Sequence, residues 1–247
     1  TIMKLNCDLG ESFGAWSMPV ESAIMAEIDQ ANIACGFHAG DPLVMKQAIL
    51  SAKQHDVVIG AHPAYPDLQG FGRRSMAIAA DELSAMIQYQ VSALSGMAII
   101  CGAKVSYVKP HGALYNDMMK DTAVMRTVMQ SIAEINIQSL DSPLALMVQA
   151  TSQNAALKDA AQEWGLPLYF EAFSDRRYTD EGLLQSRLIE GAVLSESDAL
   201  LQAKQLISSG TVTTASGATL AIEADSLCVH GDTKGAVNIA KKIRTFL

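Results

Sequence analysis

Cysteine is sparse in this 247-residue chain: there are four, Cys7, Cys35, Cys101 and Cys228. No two stand close enough for a zinc knuckle or a Cys-x-x-Cys redox pair. Cys7, Cys35 and Cys228 fall inside apolar strand-like runs, where a cysteine packs as a small hydrophobe. A reduced, cytoplasmic setting is the expectation. Positive charge is also short, with 18 Lys and Arg against 26 Asp and Glu and a net charge of −8. That balance excludes a general nucleic-acid surface, which needs a basic stripe. No apolar run approaches the roughly 18 residues that mark a membrane span, so no membrane partner is expected. The opening Thr1-Ile2-Met3-Lys4-Leu5 runs straight into a strand pattern rather than a signal-peptide layout. There is no Gly-x-x-x-x-Gly-Lys-[Ser/Thr] phosphate loop and no Gly-x-Ser-x-Gly elbow. Internal repeats, low-complexity tracts and linkers are missing too.

With 49% apolar and 18% charged residues, the chain has the composition of a large packed core. Its length suits one α/β barrel, so a single domain over residues 1–247 is expected. Strand-like runs at Ile2–Cys7, Asn32–Phe37, Val57–Ala61, Val105–Lys109, Leu144–Gln149, Pro167–Phe170 and Ser226–Val229 alternate with helix-like stretches. The helical stretches are Pro19–Gln30, Pro42–Gln54, Ala80–Cys101, Thr122–Glu134, Gln153–Trp164, Glu196–Ser208 and Lys234–Phe246. Strands separated by helices pair in parallel, and short apolar strands are those buried on both faces. Asp41-Pro42 carries a helix-start signal, a capping carboxylate followed by proline. The segment Gly210–Glu223, β-branched on both sides of Ala215-Ser216-Gly217, reads as a small hairpin inserted before the last strand.

Four of the five histidines close a short apolar run: His38, His62, His111 and His230. A fifth run ends at Asp8. Titratable groups just past the carboxyl ends of parallel strands stand where such folds place binding and catalytic groups. His55 precedes a strand instead and reads as a solvated helix end. Around these residues lie six polar segments. Asp8 and Glu11 flank Gly10 and are candidates for proton transfer. His38 is set among small residues ahead of Asp41, itself read as a helix cap. After His62 comes a long shaped loop with Arg73 and Arg74, able to grip a carboxylate. Lys109 precedes His111 and Tyr115, and a lysine aimed into a barrel must find an anion. Asp175, Arg176 and Arg187 belong to the most charge-dense loop. Asp232 opens the last helix, whose free N–H groups are suited to an anion.

At these residues the chain resembles the LamB/YcsF family nearly end to end. The resemblance rests on Leu5–Glu11, Ala31–Asp41, Ile59–Pro63, Gly70–Arg73, Val108–Asn116 and Val229–Asp232. It departs from the family where Ser186-Arg187 replaces a Pro-Arg pair and where Gln149–Ser152 replaces a Gly-Leu-Ala-Gly type turn. The resemblance implies a TIM-like (β/α)7 barrel of the glycoside hydrolase/deacetylase type. It also implies one component of an ATP-hydrolysing 5-oxoprolinase, opening 5-oxo-L-proline to L-glutamate with ATP as cosubstrate and with subunits B and C as partners.

On that footing the roles are as follows. Asp8 and Glu11 transfer protons or orient water; His38, His62, His111 and His230 ring the lactam; and Lys109 neutralises developing charge. Arg73, Tyr115, Asp175, Arg176, Arg187 and Asp232 bind substrate. Two rival readings stand beside this one. The first is a metal-dependent amidase or deacetylase holding a divalent ion on Asp8, His38 and His62. The second is a non-catalytic lactam-binding or scaffold subunit.

Overall fold

The computed structural model describes residues 2–18, 21–138, 142–230 and 235–247. Seven parallel strands close a barrel: β1 (Lys4–Leu9), β2 (Gln30–Ala34), β3 (Val58–His62), β4 (Val105–Val108), β5 (Ala145–Gln149), β6 (Leu168–Phe173) and β9 (Ser226–Cys228). β9 pairs with both β1 and β6, which seals the ring. The inserted hairpin is β7 (Thr211–Thr213) against β8 (Thr219–Ala221), antiparallel, as the β-branched pattern predicts. Around the barrel run α1 (Glu21–Met25), α2 (Pro42–Gln54), α3 (Ala80–Ile100), α4 (Gly112–Lys120), α5 (Thr122–Gln138), α6 (Asn154–Gln162), α7 (Glu196–Ser209) and α8 (Ala236–Arg244).

Residue alternation along the strands gives the barrel two different layers. In β1, Leu5, Cys7 and Leu9 are buried and join the main apolar cluster with the helices. Asn6 and Asp8, between them, face the interior. There Asn6 donates to Ser226, Asn32 donates to Asn6 and Asp8, Ser226 donates to Gln30, and Tyr107 donates to Asn32. The ring of Tyr107 fits only because residue 60 is glycine: a Cβ there would lie 2.2 Å from the Tyr107 ring.

Several predicted elements differ from the observed ones for physical reasons. The first helix is a short α1, and Gln30 belongs to β2, where Ser226 ties its side chain into the interior. Asp29 prevents continuation by accepting from the Leu5 N–H and from Arg244. β2 stops at Ala34, just before Gly36 adopts φ +91° and turns Phe37 and His38 out of the ladder. α4 is a helix outside the predicted helical stretches. Its start is masked by glycine at the first position and by the absence of a side-chain cap on His111. Its amphipathic pattern, with Ala113, Leu114, Tyr115 and Met118 buried, nevertheless obeys helical spacing. The start of the last helix at Lys234 lies outside the described residues. α3, although no uninterrupted apolar run, is long and apolar enough to cross a membrane, with a mean hydropathy of 1.3 over its best window. In the structure its buried face packs Leu83, Ile87, Val91 and Leu94 into the main cluster, and Gln90 hydrogen-bonds both backbone groups of Ala64. Asp41 caps α2 through the N–H groups of Leu43 and Val44, His55 is an exposed helix end, and all four cysteines are buried.

Candidate functional site at the barrel mouth

A cavity of about 310 Å³ opens at the carboxyl ends of the strands. Its lining includes Asp8, Glu11, His62, Lys109, His111 and His230. Six of the seven predicted catalytic residues thus share one chamber. The seventh, His38, lies beneath it: it is 1% exposed and does not line the cavity.

Lys109 follows β4 and projects its ammonium into the barrel. It is 2.7 Å from Glu171, 3.2 Å from Asp8 and 3.2 Å from the amide oxygen of Asn6. Asn6, Asp8 and Cys228 Sγ accept from the ammonium, and Glu171 forms an ion pair with it. The anion required by a lysine inside a barrel is therefore supplied by the protein. Burial opposes the charge, but Asp8, Cys228 and Glu171 outweigh it and hold the Lys109 pKa well above the ordinary value. Glu171, in β6 and fully buried, also accepts from the Tyr115 hydroxyl. That hydroxyl is committed to supporting Glu171, although Tyr115 lines the cavity. Asp8 is the more open partner, with its side chain 27% exposed. Burial would raise its pKa, yet His62 and Lys109 hold it well below the usual range, so it is a carboxylate.

The histidines are oriented by backbone. His62 Nδ1 lies 2.6 Å from the Lys109 carbonyl and His111 Nε2 2.7 Å from the Phe71 carbonyl. Both nitrogens must donate, because a carbonyl only accepts. His111 Nδ1 and His62 Nε2 then face one another at 3.0 Å. His62 Nε2 is also 3.4 Å from Asp8, and His38 Nε2 is 2.8 Å from Glu11. The rings of His38 and His111 stack at 3.6 Å. Gly72 makes this packing possible: it adopts φ +65°, and a Cβ there would lie 2.8 Å from both His111 and His38. One donor atom from each of Glu11, His38, His62 and His111 lies within 4.8 Å of the others, a buried set that could hold a metal. Asp8, predicted in such a set with His38 and His62, is not part of this group.

Also at the mouth, His230 Nδ1 meets Asp175 at 2.8 Å. Burial lowers the His230 pKa, but the Asp175 carboxylate more than compensates and raises it above 6.5. Arg73, Arg176 and Arg187 line the same cavity. Arg176 is 9% exposed; it donates to the Gln185 carbonyl and keeps a buried Nε with no partner among the described residues. Burial, then the neighbouring Arg187 cation, lowers its pKa. Arg74 instead clamps Asp67 within its own loop. Asp232 lies outside the described residues. Gln149 and Arg187, one from each segment that departs from the family pattern, both line the cavity.

A model of the LamB/YcsF family matches residues 3–247. The chain belongs to the LamB/YcsF family. Among curated relatives it is 48% identical to the 5-oxoprolinase A subunit of Vibrio parahaemolyticus over 246 residues, covering 99% of this chain and 95% of that protein. It is likewise 48% identical to a 5-oxoprolinase A subunit of Pseudomonas putida, covering 99% and 93%. The crystal structure of a lactam utilization protein from Thermus thermophilus is similar with a TM-score of 0.89 and 35% identity, covering 100% of this chain and 96% of that one. The LamB/YcsF barrel is therefore the architecture that places these side chains at one mouth.

Sequence reasoning misses Asn6, Asn32 and Glu171 as part of the site. Asn6 and Asn32 alternate with buried apolar residues in β1 and β2, and that alternation is the signal that marks them as inward-facing. Glu171 is visible in the sequence only as the first charge after an apolar run, and the demand of Lys109 for an anion is what singles it out.

Proposed function

We propose that this chain forms the lactam-opening site of a 5-oxoprolinase, hydrolysing 5-oxo-L-proline to L-glutamate with ATP as cosubstrate and acting with subunits B and C. The observation that carries this reading is the meeting of an ionised carboxylate, Asp8, and a raised-pKa histidine, His230, on one small cavity rimmed by arginines. The names of the relatives and of the Thermus structure support the substrate class. A five-membered lactam is unstrained and its amide carbon is a poor electrophile, so the reaction needs activation, which ATP supplies.

In this reading Arg176 and Arg187, with Arg73 at the rim, hold the substrate carboxylate, using the bidentate geometry of guanidinium. The ring then lies between Asp8 and His230. Asp8 accepts a proton from water as its oxygen attacks the lactam carbon. His230, protonated and oriented by Asp175, gives a proton to the ring nitrogen as the carbon–nitrogen bond breaks. Lys109 acts through Asp8: it keeps the carboxylate ionised and aimed, and Glu171, Asn6 and Tyr115 keep Lys109 in place. Membership of a multi-subunit enzyme predicts that the isolated chain turns over slowly and needs its partners.

The test is 5-oxoproline turnover with ATP, with and without the partner subunits. Asp8→Asn keeps size and hydrogen bonding but loses the base, and lowers turnover of the complex by about 10²–10⁴. Full turnover by Asp8→Asn and by His230→Gln, each in the complete complex, would instead make the chain a binding or scaffold subunit.

A further inference from the structure

We infer that Glu11, His38, His62 and His111 form a binding site for one divalent transition cation of the zinc class, in the floor of the cavity. The argument starts from hydrogen atoms. The Lys109 and Phe71 carbonyls oblige His62 Nδ1 and His111 Nε2 to carry hydrogen. When these imidazoles are neutral, each has one hydrogen, so the inward nitrogens, His62 Nε2 and His111 Nδ1, then present lone pairs. These lone pairs are 3.0 Å apart, with the carboxylate of Asp8 3.4 Å from one and that of Glu11 3.8 Å from the other. Two ring nitrogens and two carboxylates converge here. Such an arrangement calls for a positive centre.

A cation bound by several neutral imidazoles and a carboxylate meets that need without charging any one ring. The set matches what such an ion requires. Three imidazoles and one carboxylate are zinc-class ligands. Tetrahedral bonds of about 2.0–2.1 Å put donor atoms roughly 3.3–3.5 Å apart. The observed separations of 2.8, 3.0 and 3.8 Å bracket that spacing. Two of the three rings already donate their outer N–H to a backbone carbonyl, the support that metal-binding histidines use. His38 adds a buried Nδ1 with no partner among the described residues. Glu11, His62 and His111 also line the cavity, so the ion would be open to substrate or water on that side. It would there polarise a carbonyl or water presented from the chamber. The ligand set differs from Asp8, His38 and His62, and it leaves Asp8 available as a base.

The experiment uses the full chain, stripped with chelator and titrated with Zn²⁺ and Co²⁺, without any turnover assay. The expected result is one ion per chain by elemental analysis, with the intense visible absorption of four-coordinate cobalt. Glu11→Gln, which preserves shape, and His111→Ala should each weaken cobalt binding beyond the ~10–100-fold typical of losing a mere supporting partner. His55→Ala, at the exposed helix end, should leave it unchanged. Absence of stoichiometric binding overturns the proposal and assigns the positive centre to a shared proton. Binding that survives Glu11→Gln and His111→Ala but is lost in His55→Ala overturns it as well. Because the readout is metal content and spectrum, failure here leaves the lactam reading standing, and loss of lactam turnover leaves this site standing.

Discussion

The two faces of the same strands obey opposite rules. Outward, Leu5, Cys7, Leu9, Ile33, Ile59 and Leu227 pack against helices in a continuous apolar layer. Inward, Asn6, Asn32, Tyr107, Lys109, Glu171 and Ser226 form a hydrogen-bonded and ion-paired column that rises to the cavity. Apolar burial is non-directional, and each methylene contributes by the area it removes from water. A buried polar column is directional: each group stabilises only while its partner is present, and an orphaned charge costs more than the pair contributes. The outer layer supplies stability in many small increments. The inner column spends stability on positioning a few atoms at the mouth.

The sharpest way to break this contrast is Lys109→Met. It leaves Glu171 and Asp8 without their cation, and should destabilise the fold by about 3–5 kcal/mol in a urea titration. The double variant Lys109→Met with Glu171→Leu should recover a large part of that loss while remaining inactive. No recovery would mean that the ion pair matters for packing rather than charge.

A second experiment separates the mouth from the column beneath it. The folded-state pKa of His230 is raised above 6.5, so its ion pair with Asp175 is fully formed below the unfolded value and is lost as pH rises through the folded one. Turnover that needs the protonated imidazole must fall over the same alkaline window. A pH–rate profile should show that limb, and His230→Gln should abolish it.

The smallest effect belongs to the outer layer. Ile33→Val, fully buried beside β1 and β3, should cost ~0.5–1.5 kcal/mol by thermal unfolding and leave turnover per folded molecule unchanged. A change in turnover would show that the two layers are mechanically coupled.

Much of the barrel is legible from the chain because its strands are short, apolar and separated by helices. The hairpin is legible from β-branched residues around Ala215-Ser216-Gly217. α4 is not, since Gly112 and an uncapped His111 conceal its start. The site divides in the same way. His62, Lys109, His111 and His230 stand out as polar residues ending apolar runs. Glu171 does not, because nothing local distinguishes it from the charges that follow it in the chain. His38 ends its run like the others, yet lies beneath the cavity because Gly36 turns the chain after β2.

Period-two alternation and the punctuation of apolar runs by Asp and His belong to the sequence alone, because they follow from how a strand exposes alternate side chains. Which of those residues touch was settled only by closure of the barrel. Asn6 and Ser226 are 220 positions apart, and Lys109 and Asp8 are 101 apart. Contact across such separations depends on strand order and register, and no local preference of the chain encodes either.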